Sequence, residues 1–207
     1  MRERTVARPR EFNETDAVRL ASKAFWTRGY QATSIRHLEE ATGLAAGSIY
    51  KAYGSKRDLF LLCLEQYMKE DSYLALLMRM FDKPIEESLR RIFDTIIDST
   101  DDGNPRPVGC LVSNLVSELL NVDAELGDSA VTGLQEMQRA LRIRVKWAKE
   151  NGELPAGEDE DALGSYLMVL IQGMLMMSTS TKDVGAMRAA RDVAIARLRC
   201  QPAGQGR

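Results

Sequence analysis

The 207-residue chain contains one histidine, His37, and three cysteines, Cys63, Cys110 and Cys200, with no CxxC pair among them. A lone histidine and scattered thiols make no zinc set. An odd number of widely spaced cysteines makes no disulfide framework, so free thiols in a reducing compartment are expected. There is no Ser/His/Asp or Cys/His constellation and no glycine-rich phosphate loop, so the enzyme reading has no residues to carry it and no cofactor is implied. No run of about 18 apolar residues marks a transmembrane helix. The opening MRERTVARPRE is charged and lacks the apolar segment of a signal peptide. A cytoplasmic protein with no membrane partner is the expectation. Alternating strand patterns are missing as well, and the acids Asp101-Asp102 and Glu158 to Asp161 read as loop and helix-end charges.

What remains is helical periodicity, with 44% apolar residues to fill a core. Ala17, Leu20, Ala21, Ala24 and Phe25 form the stripe of a first helix capped by Asn13 and ended by Gly29. A long helix is expected from Lys56 to about Met80, and another opens after Pro84 and runs to about Ser99. Asp101 to Pro107 is a loop. Helices then follow over 109–119, from about Ser129 to Glu150, over Ala162–Thr179 and from Asp183 to about Leu198. The chain reads as all-α with about nine helices.

The most informative stretch is Thr33–Tyr53, TSIRHLEEATGLAAGSIYKAY. Ile35, Leu38 and Ala41 recur at helical spacing after a Thr33 or Ser34 cap, and Gly43 stops the helix where a left-handed residue is needed. Leu44 plugs the turn. A second helix then begins with small residues and keeps Ile49 and Tyr53 for its back, which is what entry into a major groove requires. Gly54 ends it, and Ser55 with Asp58 forms a capping box for the next helix. His37 is placed on the outer surface of the first of these helices.

Phe25, Gly29-Tyr30, Thr33-Ser34-Ile35, Gly43-Leu44, Gly47-Ser48-Ile49-Tyr50 and Tyr53 to Phe60 together resemble the N-terminal domain of the TetR/AcrR family of bacterial transcriptional regulators, densely over residues 13–62. The resemblance implies a three-helix helix-turn-helix DNA-binding domain with a basic arm over 1–55, and a larger helical effector-binding and dimerisation domain over 56–207. Charge agrees: residues 1–57 hold 11 Lys and Arg against 6 Asp and Glu, and the remainder 17 against 24. A basic head on an acidic body suits one end that meets phosphates. Arg2, Arg4, Arg8 and Arg10 form an arm that either reaches DNA or is solvated.

Thr33, Ser34 and Lys56, at helix starts, are candidates to position phosphates, and the resemblance adds the Tyr50 hydroxyl. Arg36, Ala46, Gly47, Ser48 and Lys51 are the candidates for base edges. Ala45 and Ala46 stand where the family often has Ser or Thr, so reading rests on few side chains and on groove shape. The 162–179 helix is apolar nearly all round, and the resemblance turns Leu167, Leu170, Ile171, Met174 and Leu175 into a dimer face in a two-fold four-helix bundle.

An effector pocket is likewise implied by the resemblance, with Phe93, Ile97, Cys110, Asn114, Ser117, Met137, Trp147, Met168 and Gln172 as candidate linings. Each is equally an ordinary core residue. Cys110 follows an exposed loop and precedes a helix start, where thiolates are favoured. It is either a reactive sensor, with Arg106 nearby, or a small buried apolar group. The expectation is a homodimeric repressor on a palindromic double-stranded operator, released by an unknown small-molecule or electrophile effector. The alternative is a helical ligand- or protein-binding module without sequence-specific DNA binding.

Overall fold

The computed structural model describes residues 14–119 and 123–199, so the arginine arm, the Asn13 cap and Cys200 lie outside the described residues. Among these residues the regular secondary structure is entirely α-helical. The helices are α1 Glu14–Arg28, α2 Ile35–Thr42, α3 Ala46–Tyr53, α4 Lys56–Glu70, α5 Tyr73–Arg79, α6 Ile85–Asp98, α7 Leu111–Leu119, α8 Ala124–Glu150, α9 Glu160–Thr179 and α10 Val184–Arg199.

Ten helices stand where nine are expected because the 56–80 helix is broken. Ser72 caps α5 by accepting the Ala75 N–H at 3.0 Å, and its hydroxyl donates to the Met68 carbonyl at 2.8 Å. The end of α4 is satisfied by two arginines. Arg79 donates to the Glu70 carbonyl at 2.8 Å and Arg106 to the Asp71 carbonyl at 2.7 Å. With the orphan carbonyls of a helix end so paired, the break leaves little unsatisfied. The eighth helix also starts five residues before Ser129, because Asp123 caps it through the Leu126 N–H at 3.1 Å.

Several local expectations hold. The Ser55–Asp58 capping box closes in both directions, at 3.1 and 3.0 Å. Gly29 and Gly43 adopt the left-handed φ values of 84° and 72° that end α1 and α2. His37 stays partly exposed at the surface and has a structural use there. It is half-buried and closes a capping box on α2, its Nδ1 accepting the Ser34 N–H at 3.2 Å while Ser34 Oγ accepts the His37 N–H at 3.3 Å.

α1 to α3 pack with α4 around Phe25, Trp26, Leu38, Ile49 and Phe60. The rings of Phe25 and Phe60 meet edge-on at 4.9 Å, as do those of Trp26 and Tyr67. The body pairs α8 with α7 and α9, and α6 with α9 and α10. Its most unusual core member is Arg144, whose side chain is fully buried between the rings of Phe81 and Trp147.

The α9 interface assignment is corrected by the packing. Leu167, Ile171, Met174 and Leu175 are buried inside their own chain, and Leu170 is half-buried. The outward stripe is instead Tyr166, Val169, Gly173 and Met176, beside Val193 on α10. Val169 and Met176 are each 72% exposed. By length and hydropathy α9 would also satisfy the requirements of a membrane span, unlike the expectation from apolar runs, but its inward residues are consumed by the core.

Candidate functional site

The turn between α2 and α3 is built from three contacts. Gly43 donates its N–H to the Glu39 carbonyl at 2.8 Å, Leu44 packs half-buried on the core, and the Glu39 carboxylate accepts the Ala46 N–H at 2.6 Å. Ala45 cannot cap α3 with a side chain, and Glu39 does so from the preceding helix. Sequence reasoning missed Glu39. The signal was available, since an alanine at a cap position leaves donors that something else must satisfy.

Ile49 is buried, which turns Gly47, Ser48 and Lys51 outward on α3. Nothing lies within 4 Å of where a Gly47 side chain would begin, so this face is flat and open. Tyr50 is half exposed. On α2, Ser34 and Arg36 are exposed, with Arg36 held by Glu40 at 3.1 Å. Ala46 is half-buried. These seven residues leave a small, polar surface of the kind a groove admits.

Two of the nine DNA candidates are placed otherwise. Thr33 is fully buried and spends its hydroxyl on the Gly29 carbonyl at 2.6 Å, where it secures the entry to α2. Lys56 is half-buried with its ammonium 4.4 Å from the centre of the Tyr30 ring. Burial lowers its pKa, and the Glu118 carboxylate opposes that shift.

The body holds a small cavity of about 30 Å³ between α4, α5, α7, α8 and α9. Of the effector-pocket candidates, Cys110, Met137 and Gln172 line this cavity, and Met68, Tyr73, Val112 and Gly133 complete much of the wall. It has room for only a couple of water-sized bodies as it stands. The Tyr67 hydroxyl donates to Cys110 Sγ at 3.1 Å, and Ser113 Oγ donates to Gln172 Oε1 at 2.8 Å. Burial pushes the Tyr67 phenol well above its ordinary pKa, so it stays a donor to the sulfur.

The other pocket candidates lie elsewhere. Phe93, Ile97 and Met168 are buried core, Trp147 packs against Phe81 and Arg144, and Ser117 is exposed. Asn114 faces a separate groove of about 500 Å³ beside Trp26, Asp102, Arg106 and Lys182. Helical periodicity cannot tell cavity from core, because both faces are apolar. Cys63 is fully buried, and burial raises its thiol pKa well above the ordinary value, so it is inert.

Comparison with known proteins bears on both halves of the chain. Residues 18–63 match the family described as bacterial regulatory proteins, tetR family, and residues 86–194 match the tetracyclin repressor-like C-terminal domain. The chain is 29% identical to the HTH-type transcriptional regulator YezE of Bacillus subtilis, over 93% of this chain and all of that one. It is 28% identical to the HTH-type transcriptional repressor ComR of Escherichia coli, over 94% of this chain and 91% of the relative. Among solved structures, a cysteine mutant of the TetR family transcriptional regulator CifR, complexed with 26-bp double-strand operator DNA, superposes with a TM-score of 0.78. That structure is 26% identical, over 94% of this chain and all of CifR. With its reading head and more than half of its length matched, the chain belongs to the TetR family of bacterial regulatory proteins and is a DNA-binding transcriptional regulator.

Proposed function

We propose that the protein is a cytoplasmic homodimeric repressor that binds a two-fold operator through α3 and is released when a small molecule enters the body cavity. The division of labour falls at the α3–α4 turn, residues 1–55 reading DNA and 56–207 holding the effector and the partner subunit. The observation that carries this reading is the open face of α3. Gly47, Ser48 and Lys51 point outward from a helix whose back is pinned by Ile49 and whose start is capped by Glu39. Ser34, Arg36, Ala46 and Tyr50 flank it. The operator-bound CifR structure and the repressor named ComR support the same reading.

The test is binding to DNA from upstream of the protein's own gene across a salt series. Tight binding whose logarithm falls steeply and linearly with log salt is expected, as counterions are released from the phosphates. Weak, salt-dependent binding with no sequence preference would overturn it.

The partner surface is the outward stripe of α9 with Val193 of α10, an unpaired apolar patch beside the charged rim of Glu158 and Arg197. A repressor that reads two half-sites about one helical turn apart needs such a two-fold axis. Val169→Glu with Met176→Lys is expected to convert the dimer to a monomer in sedimentation equilibrium without loss of helical signal. Operator binding would then weaken by about 100-fold or more, since half-site binding forfeits the second head.

A further inference from the structure

Glu118, near the end of α7, reaches out of the body into the head. Its carboxylate accepts the Tyr30 N–H at 3.0 Å and the Gln31 N–H at 2.5 Å, directly after α1 ends and just before α2 begins. Both are charge-assisted bonds to backbone, so whatever moves Glu118 moves the chain entering the helix-turn-helix. Gly29 makes the approach possible. It has a left-handed φ of 84°, and a Cβ there would sit 2.8 Å from Glu118 Oε2. Lys56, on the Tyr30 ring, adds an opposite charge nearby.

The other end of the same helix belongs to the cavity. Cys110 immediately precedes α7, and Val112 forms part of the cavity wall against Gly133 of α8. Val112 and Glu118 lie six residues apart on one rigid helix, about 9 Å along its axis. Among the described residues head and body also meet through the Phe25–Phe60 and Trp26–Tyr67 ring contacts and the Arg106 guanidinium 4.7 Å from the Trp26 ring, none of which is a hydrogen bond to the backbone between α1 and α2. Arg57, within the body at the start of α4, pairs with Glu125 of α8 at 2.6 Å, but Glu125 is 74% exposed and the pair is screened by water.

We propose that Glu118 is the positioning residue through which the cavity sets the orientation of the DNA-reading head, α7 acting as the rod between them. This rests on the cavity being the effector site. When something expands the cavity against Val112, α7 shifts and the two backbone bonds carry the shift to the α1–α2 connection.

The experiment is a double-mutant cycle on operator affinity, with a cavity-filling residue standing in for the effector. A Cβ at Gly133 would meet Val112 Cγ1 at 3.3 Å and Met68 Cε and Sδ at 3.5 Å, so Gly133→Val presses directly on α7. Glu118→Gln keeps the side-chain volume and one acceptor but sets an amide NH2 against one of the backbone donors. Gly133→Val is expected to weaken operator binding at least about tenfold alone and less than about twofold in the Glu118→Gln background, a non-additivity that a purely structural role does not produce. Amide exchange at Tyr30 and Gln31 should speed up in Glu118→Gln. Equal effects of Gly133→Val in both backgrounds would overturn the role of Glu118 and leave the cavity reading standing. No effect in either would overturn the cavity reading and the proposal with it. If Gly133→Val does not fold, Gly133→Ala asks Val112 to yield by only a few tenths of an ångström and replaces it in the same cycle.

Discussion

Gly47→Glu should abolish specific operator binding while leaving the protein as stable as before, or more so. Gly47 occupies the second position of α3, is exposed, and has open space where a side chain would go. Its φ is not left-handed, so no backbone strain attends a substitution. Replacing an exposed helical glycine gains roughly 0.5–1 kcal/mol of helix propensity, and an acid in the first turn is favoured by the helix dipole. Against DNA the sign reverses. A carboxylate on the leading face of α3 would meet phosphates and base edges, and like charges across an interface cost several kcal/mol. A loss of about 3 kcal/mol is roughly 150-fold in affinity. Fluorescence anisotropy with labelled operator and a melting curve check both halves. A rise of a few degrees in Tm alongside lost binding is the expected pair. Unimpaired binding would mean that α3 does not enter the groove by this face.

The second large effect falls far from DNA. Arg144 is fully buried and donates to the Lys83 carbonyl. It also contacts the Glu153 carboxylate at 3.3 Å, and that carboxylate accepts the Ile85 N–H at 2.5 Å. Arg144 thus ties α8 to the turn before α6 and to the segment after α8. Burial lowers its pKa, and the charge and hydrogen bond of Glu153 oppose that shift. Its Nε and Nη1 find no hydrogen-bond partner among the described residues, so the site is already costly to maintain. Arg144→Ala removes the partner of Glu153 and opens a hole between Phe81 and Trp147, and a loss of about 3–5 kcal/mol is expected in urea unfolding. Arg144→Met refills the space between the rings and should lose less than half of that. If the two variants lose the same stability, the ion pair rather than the packing dominates.

The legible and the hidden parts of this protein divide along physical lines. Gly43, Ser55 with Asp58, and the small residues that open α3 are local devices. Each acts on backbone within a turn or two of its own position, so spacing alone exposes them. At the Asp71–Ser72 break the Ser72 cap is local, but the pairing that satisfies the end of α4 is not, and that part was hidden. Arg106 lies 35 residues away, and its guanidinium takes a carbonyl at the end of α4. Lys56 reads as a phosphate contact until Tyr30 is seen beneath its ammonium, and Thr33 does so until its hydroxyl is found on Gly29. For the cavity, periodicity nominated Cys110, Met137 and Gln172 but equally nominated core residues such as Phe93 and Ile97.

By itself, then, the sequence determined the helical class, the helix-turn-helix and the sign of the charge at its DNA-facing end. Those follow from backbone preferences and from net charge, which are properties of segments. Only the tertiary structure decided which apolar residues of α9 face outward, where the cavity lies, and that Glu118 of the body grips the entry to α2. An apolar helix offers several equivalent faces and a carboxylate several partners. The choice among them is made by the packing of helices distant in the chain, which no local pattern encodes.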